Sequence, residues 1–204
     1  LEELRDALKT ITGRNLIFFA PSCRAAIAQI LSSLPNKEVV LPAYTCPVVK
    51  TAVQIAGKRL LYTDIGERGL NSSSAEFADL AEPGRILVPT HVFGFPTDIA
   101  AITDLARTRD CVAIEDAAAA MGSHIGGRAL GTFGDFGVFS FERSKRYPAF
   151  RGAAIVVNNE SLLSRTSIES FRFAESRVVF PSRETLFASF YNVVTVPWLY
   201  GRIT

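Results

Sequence analysis

The sequence predicts an α/β fold: a three-layer α/β/α arrangement around a mostly parallel, seven-stranded sheet. Three observations carry that expectation. Short apolar runs stand at residues 16–20, 38–41, 59–63, 85–89, 111–115, 136–140 and 153–157. Amphipathic stretches lie between several of them, and this alternation marks a parallel sheet covered on both faces. The 204 residues are 48% apolar, and a chain of this size buries about 70% of its extended surface. That balance excludes both disorder and a disulfide-stapled miniprotein.

Each element has a local reason. Leu1, Leu4, Leu8 and Ile11 recur at helical spacing, with Glu2 and Glu3 at the positive end of the dipole and Gly13 at the C-cap. Leu16-Ile17-Phe18-Phe19-Ala20 reads as a buried strand that Pro21-Ser22 ends. A second helix follows on Ala26, Ile27, Ile30, Leu31 and Leu34, with Ser22 as its N-cap. Further helices are expected over 48–56, 75–80 and 99–107. Near the end, Leu186, Phe187, Phe190, Tyr191 and Val194 form a broad apolar helical face, followed by Pro197-Trp198-Leu199-Tyr200. Such a face needs a cover: its own sheet, a further domain or a second subunit. A membrane surface suits it least, because only Arg183 and Arg202 flank it.

Composition narrows the function classes. Lys and Arg number 22 against 20 for Asp and Glu, a net charge of +2, which argues against a dedicated nucleic-acid surface. Cys23, Cys46 and Cys111 are odd in number and widely spaced, and with two histidines a zinc site is not expected. A reducing cytoplasm fits those thiols. The chain lacks a run of about 18 apolar residues and a basic n-region. Leu1 stands where an initiator Met is expected, so the N-terminus reads as clipped.

Ligands of α/β sheets sit at the C-terminal ends of the strands, and four segments end there in polar residues. Ala20-Pro21-Ser22-Cys23-Arg24 is a strand-to-helix turn whose N–H groups and dipole suit a phosphate, with Arg24 adding charge; equally, Ser22 is only a cap and Arg24 only surface. Ala113-Ile114-Glu115-Asp116-Ala117-Ala118 closes a buried-looking strand with two acids. A buried carboxylate needs a cationic partner, so Asp116 is either a helix cap or the partner of a ligand cation. Ser140 ends another strand, and Lys145 follows in a turn. A lone Lys is usually solvated, but at a cleft it forms Schiff bases, and a nearby Ser hydroxyl binds phosphate. His91 closes the fourth segment, where a core or capping role is the default.

Together these parts ask for a phosphate, a protonatable ring nitrogen and an aldehyde, the three features of pyridoxal 5'-phosphate. At this point the sequence resembles the DegT/DnrJ/StrS family of PLP-dependent sugar aminotransferases, on the fold-type I, aspartate-aminotransferase-like large domain. The matching stretches are Leu41-Pro42-Ala43-Tyr44-Thr45, residues 57–64, His91-Val92-Phe93-Gly94-Phe95-Pro96-Thr97-Asp98 and Glu115-Asp116-Ala117-Ala118. Gly134-Asp135-Phe136-Gly137-Val138-Phe139-Ser140-Phe141 and Lys145 complete them, in the family's order, over about residues 15–160.

The resemblance implies that Lys145 is the Schiff-base lysine and proton carrier, and that Asp116 keeps the pyridine nitrogen protonated. It places the phosphate on Ser140 and the Cys23-Arg24 turn, and makes the strand at 153–157 the antiparallel one. It also implies a keto-sugar nucleotide substrate, glutamate as amino donor, a cytoplasmic homodimer, and a setting in surface-polysaccharide or secondary-metabolite sugar synthesis. Residues 1–160 would be the PLP-binding large domain, and 161–204 a helical connection towards a small C-terminal domain not included in this sequence. Three departures stand out. Ser22-Cys23-Arg24 replaces the usual Ser-Gly-Thr, Cys46 stands where an aromatic often stacks on the cofactor, and Ala119 stands where Gln or His usually contacts its phenolic oxygen. They leave open a non-catalytic or regulatory domain of the same fold. A PLP-dependent sugar dehydratase, in which His replaces the Schiff-base lysine, is disfavoured by Lys145.

Overall fold

The first helix, α1 (Glu2–Thr12), stops at Gly13, whose φ of 65° favours a residue without a side chain. The computed structural model describes residues 2–67, 69–145 and 152–165. The chain continues through β1 (Ile17–Ala20), α2 (Cys23–Ser33), β2 (Glu38–Pro42), α3 (Pro47–Ile55), β3 (Arg59–Thr63) and α4 (Ser74–Ala78). It then runs through β4 (Ile86–Leu87), α5 (Ile99–Thr108), β5 (Val112–Asp116), β6 (His124–Ile125), β7 (Arg128–Ala129), β8 (Phe136–Ser140) and β9 (Ala153–Val157). The apolar face expected over 186–200 lies outside the described residues.

Seven strands form one sheet in the order β1-β9-β8-β5-β4-β2-β3, while β6 and β7 make a separate hairpin. Within the sheet, β9 runs antiparallel to both neighbours, β1 and β8, and the remaining pairs are parallel. Helices cover both faces. On one, α2 and α3 pack Ile27, Leu31, Val49 and Val53 against Ile114, Val138 and Ile155. On the other, α1 brings Leu8, α4 brings Phe77 and α5 brings Ile102. Such fully buried side chains each contribute about 1.5–3 kcal/mol relative to exposure.

Two elements differ from the sequence expectation. β4 is shorter than residues 85–89, because the Arg85 N–H is drawn into a turn on the Glu82 carbonyl and Pro89 has no N–H to offer. The β6–β7 hairpin was not foreseen; its two-residue Gly126-Gly127 turn takes positive φ at both positions, as a tight hairpin requires.

Candidate functional site

Register brings the polar strand ends together. Ala20 of β1 and Ser140 of β8 both face Ala153 on β9, which runs between them, so the β1–α2 turn sits beside the end of β8. Asp116 pairs with Val138 on β8 and bridges to Thr90 beyond β4. Neighbouring strands are about 4.8 Å apart. The ends of β1, β8, β5 and β4 therefore line one edge of the sheet within a few strand widths.

At that edge α2 begins. The Ser22 side chain accepts from the Ala25 N–H at 3.2 Å, as the cap expectation required. The first-turn N–H groups of Cys23 and Arg24 have no intrahelical acceptor by position. They form, with the dipole, a place for an anion. Cys23 is itself buried, and Arg24 is exposed. Burial, then the Asp116 charge, pushes the Cys23 thiol well up, and Lys145 pulls the other way. Cys23 thus contributes backbone N–H and a neutral thiol, not a thiolate.

Asp116 closes β5 and is 3% exposed. Its Oδ1 accepts from the Ala118 N–H at 3.1 Å, a short turn of the kind a cap makes. Among the described residues it has no ion pair within 4.0 Å. Burial pushes its carboxyl up; the Ala118 N–H, then His91 and Lys145, hold it down only in part. A buried acid with one hydrogen bond and no ion pair fits a ligand that brings its own positive charge.

Ser140 is buried at the end of β8, where its Oγ accepts from the Glu142 N–H at 3.4 Å. The chain then turns, the Lys145 N–H bonding the Glu142 carbonyl at 2.9 Å, and Lys145 is half-buried. Cys46 is the N-cap residue of α3 and is exposed, with Pro47 starting the helix. Its neighbour Thr45 reaches Thr90, Oγ1 to Oγ1 at 3.3 Å, which ties the β2 end to the β4 end. Ala119 lies in the turn after β5, its carbonyl against Gly94. Every one of these candidate positions thus lies at the same sheet edge.

Glu115 is fully buried and faces the side opposite to Asp116. Its Oε1 lies 2.9 Å from His91 Nε2, and its two oxygens accept the N–H groups of Gly131, Phe133 and Gly134 at 2.5, 2.7 and 3.2 Å. The Thr97 N–H donates to His91 Nδ1 at 3.1 Å, so the ring hydrogen sits on Nε2 and points at Glu115. The 131–134 loop comes this close because position 137 is glycine: a Cβ there would run into the Gly131 carbonyl. Two adjacent acids in a small-residue strand are a usable signal, but the four donors to Glu115 lie 16 to 24 residues away in sequence.

Among the described residues no group of three or more His, Cys, Asp or Glu is placed to hold a metal ion. None of the described helices is long and apolar enough to cross a membrane. The donor set at the sheet edge instead fits a cofactor of three parts. First-turn N–H groups and the Ser140 hydroxyl suit a phosphate, Asp116 a protonated ring nitrogen, and the Lys145 amine an aldehyde.

Comparison with known proteins agrees with the architecture. The family model described as the DegT/DnrJ/EryC1/StrS aminotransferase family matches residues 3–177. A UDP-N-acetyl-3-dehydro-alpha-D-glucosamine 3-aminotransferase of Acidithiobacillus ferrooxidans is 33% identical over 132 residues, 64% of this chain and 36% of that protein. A dTDP-4-dehydro-2,3,6-trideoxy-D-glucose 4-aminotransferase of Saccharopolyspora spinosa is 32% identical over 133 residues, 63% of this chain and 34% of that protein. The chain spans about a third of the length of these curated relatives. Among solved structures, the aminotransferase TlmJ of Streptoalloteichus hindustanus superposes with a TM-score of 0.74 at 28% identity, covering 80% of this chain and 46% of that one.

Proposed function

The chain belongs to the DegT/DnrJ/EryC1/StrS aminotransferase family, and from that premise we propose that it is the cofactor-binding part of a PLP-dependent aminotransferase acting on a keto-sugar nucleotide. The observation that carries the reading is Asp116, a buried acid without an ion pair among the described residues, on the same sheet edge as Lys145 and the α2 N-terminus. Relatives that act on UDP- and dTDP-linked sugars support the substrate class.

In this reading residues 1–160 are the large domain, and 161–204 lead towards a small C-terminal one. The N–H groups of Cys23 and Arg24, with Ser140 Oγ, hold the cofactor phosphate. Asp116 would hold a proton on the ring nitrogen, because among the described residues its buried carboxylate has no ion pair. Cys46 and Ala119 flank the ring and its phenolic oxygen with small side chains that neither stack on the ring nor donate to the oxygen. The cofactor supplies an aldehyde that condenses with amines and a ring that accepts electrons. Lys145 Nζ would hold the cofactor through that aldehyde and would serve as the proton carrier of the site. Glutamate as amino donor, a homodimer and a cytoplasmic setting complete the proposal; the described cysteines, all free thiols, fit that compartment.

Titration with pyridoxal phosphate tests it. The wild-type chain is expected to develop a Schiff-base absorbance that borohydride removes and that Lys145→Ala abolishes completely. Glutamate should then convert the cofactor to its amine form. Absence of the absorbance sinks the cofactor assignment. An absorbance that glutamate leaves untouched favours a binding domain without transamination.

A further inference from the structure

His91 is buried, and all four of its polar atoms are engaged. Its ring holds the turn that follows: Nε2–H donates to Glu115 Oε1 at 2.9 Å, and Nδ1 accepts the Thr97 N–H at 3.1 Å. Its main chain holds Asp116. The His91 N–H donates to the Asp116 carbonyl at 3.1 Å, while its own carbonyl accepts the Gly94 N–H at 3.0 Å. One residue thus ties the carboxylate on one face of β5 to the backbone of the acid on the other.

That tie matters because β4 has already ended. The strand stops at Leu87, and the Val88 N–H goes to the Val40 carbonyl on β2. Residues 89–91 then make an isolated bridge to β5, in which the Asp116 N–H donates to the Pro89 carbonyl at 2.9 Å. A bridge past a strand end opens easily unless its segment is held elsewhere, and here the His91 ring holds it. The turn it starts is strained, with Phe93 at a φ of 54°. Asn71 fixes it too: Oδ1 accepts the Val92 N–H at 3.0 Å, and Nδ2 donates to the Phe95 carbonyl at 2.9 Å. Gly94 lies so close to Ala119 that a Cβ would stand 2.7 Å from the Ala119 carbonyl oxygen. The same turn therefore abuts the segment that carries Ala118, whose N–H donates to Asp116 Oδ1 at 3.1 Å. Strain that surrounding bonds hold in place is found where a nearby site needs a fixed geometry.

We propose that His91 is a positioning residue of the cofactor site: locked by Glu115 from the far face of the sheet, it clamps the Asp116 main chain and so fixes where the Asp116 carboxylate meets its ligand. That this ligand is the ring of pyridoxal phosphate rests on the aminotransferase reading; the clamp does not. His91→Leu removes both ring bonds, whereas His91→Gln keeps an N–H for Glu115. Pyridoxal phosphate is titrated into wild type, His91→Leu, Asp116→Asn and the double variant, each below its melting temperature. His91→Leu should weaken binding about tenfold when Asp116 is present. In the Asp116→Asn background it should change binding less than about twofold, because the charge it positions is gone. His91→Gln should recover most of the loss. Hydrogen exchange of the cofactor-free protein gives a second readout: the N–H groups of Asp116, Ala117 and Ala118 should lose protection in His91→Leu while those of β9 keep theirs. Equal cofactor affinity in wild type and His91→Leu overturns the proposal. So does an equal loss in both backgrounds, which would make His91 a packing residue, or unchanged exchange at Asp116. If His91→Leu does not fold, Gly94→Ala enters the same cycle, because its Cβ drives the turn off Ala119 without touching the buried pair. If wild type shows no cofactor absorbance, the aminotransferase reading falls, and exchange at Asp116 alone decides the clamp.

Discussion

Glu115 and Asp116 are consecutive on one strand, both buried, and face opposite sides of the sheet. Glu115 looks into the α5 side and is surrounded by donors: His91 and the N–H groups of Gly131, Phe133 and Gly134. Asp116 looks into the α2 side and receives a single N–H from Ala118. The difference separates a carboxylate that holds a fold from one that waits for a ligand. A satisfied buried acid stabilises through its bonds, whereas an unsatisfied one is tolerated only where its charge has a use.

Removing each acid should break the symmetry of the pair in opposite directions. Glu115→Ala strands His91 Nε2–H and three backbone donors, and should cost about 3–5 kcal/mol in denaturant unfolding. Glu115→Gln keeps one acceptor oxygen and should cost less than Glu115→Ala. A Glu115→Ala protein as stable as wild type would remove the structural half of the comparison.

Asp116→Asn should leave the cofactor-free protein at least as stable as wild type near neutral pH, by about 2–4 °C in melting temperature for each kcal/mol regained. The sign follows from its raised carboxyl. The native state holds that proton more tightly than the unfolded chain, so its contribution is fully present below the ordinary Asp value and is lost as pH rises through the raised one. Above that window wild type carries the cost of a bare buried charge; Asn does not, and the gap between the two should close on acidification. The same substitution should weaken pyridoxal phosphate binding about tenfold or more, the worth of one charged hydrogen bond. Lower stability of Asp116→Asn without cofactor would show that the acid is structural after all.

The smallest effect concerns the three thiols. Cys46 is exposed, while Cys23 and Cys111 are buried and burial pushes both of their thiols up. Iodoacetamide should modify Cys46 first in the native protein, and bound pyridoxal phosphate should slow that reaction. Faster labelling of Cys23 would contradict its neutral, enclosed setting.

Much of the fold was legible before any coordinates. Period and punctuation announced the strands 59–63, 136–140 and 153–157 at their observed bounds, and Ser22 was readable as a cap. These depend on neighbours within a few residues, where propensity and capping act. Asp116, Ser140 and Lys145 were legible as candidates because their strand-end positions carry chemistry in α/β sheets, and their placement on one edge follows from the parallel order. The Gly126-Gly127 hairpin was missed although its turn was written in the sequence; its two-residue strands are too short for a periodic signal.

The local sequence by itself determined the alternation of strands and helices, the apolar faces that pack them, and the presence of two acids at the end of β5. Only the tertiary structure decided what became of those acids. The donors that satisfy Glu115 come from His91 and the 131–134 loop, and the glycine that admits the loop is Gly137, on a neighbouring strand. The strain at Phe93 is likewise set by Asn71, Thr97 and Ala119, far from it along the chain or across the sheet edge. A short-range pattern cannot carry such information, because hydrogen-bond satisfaction and close approach depend on distances in space that exist only once the sheet has closed around them.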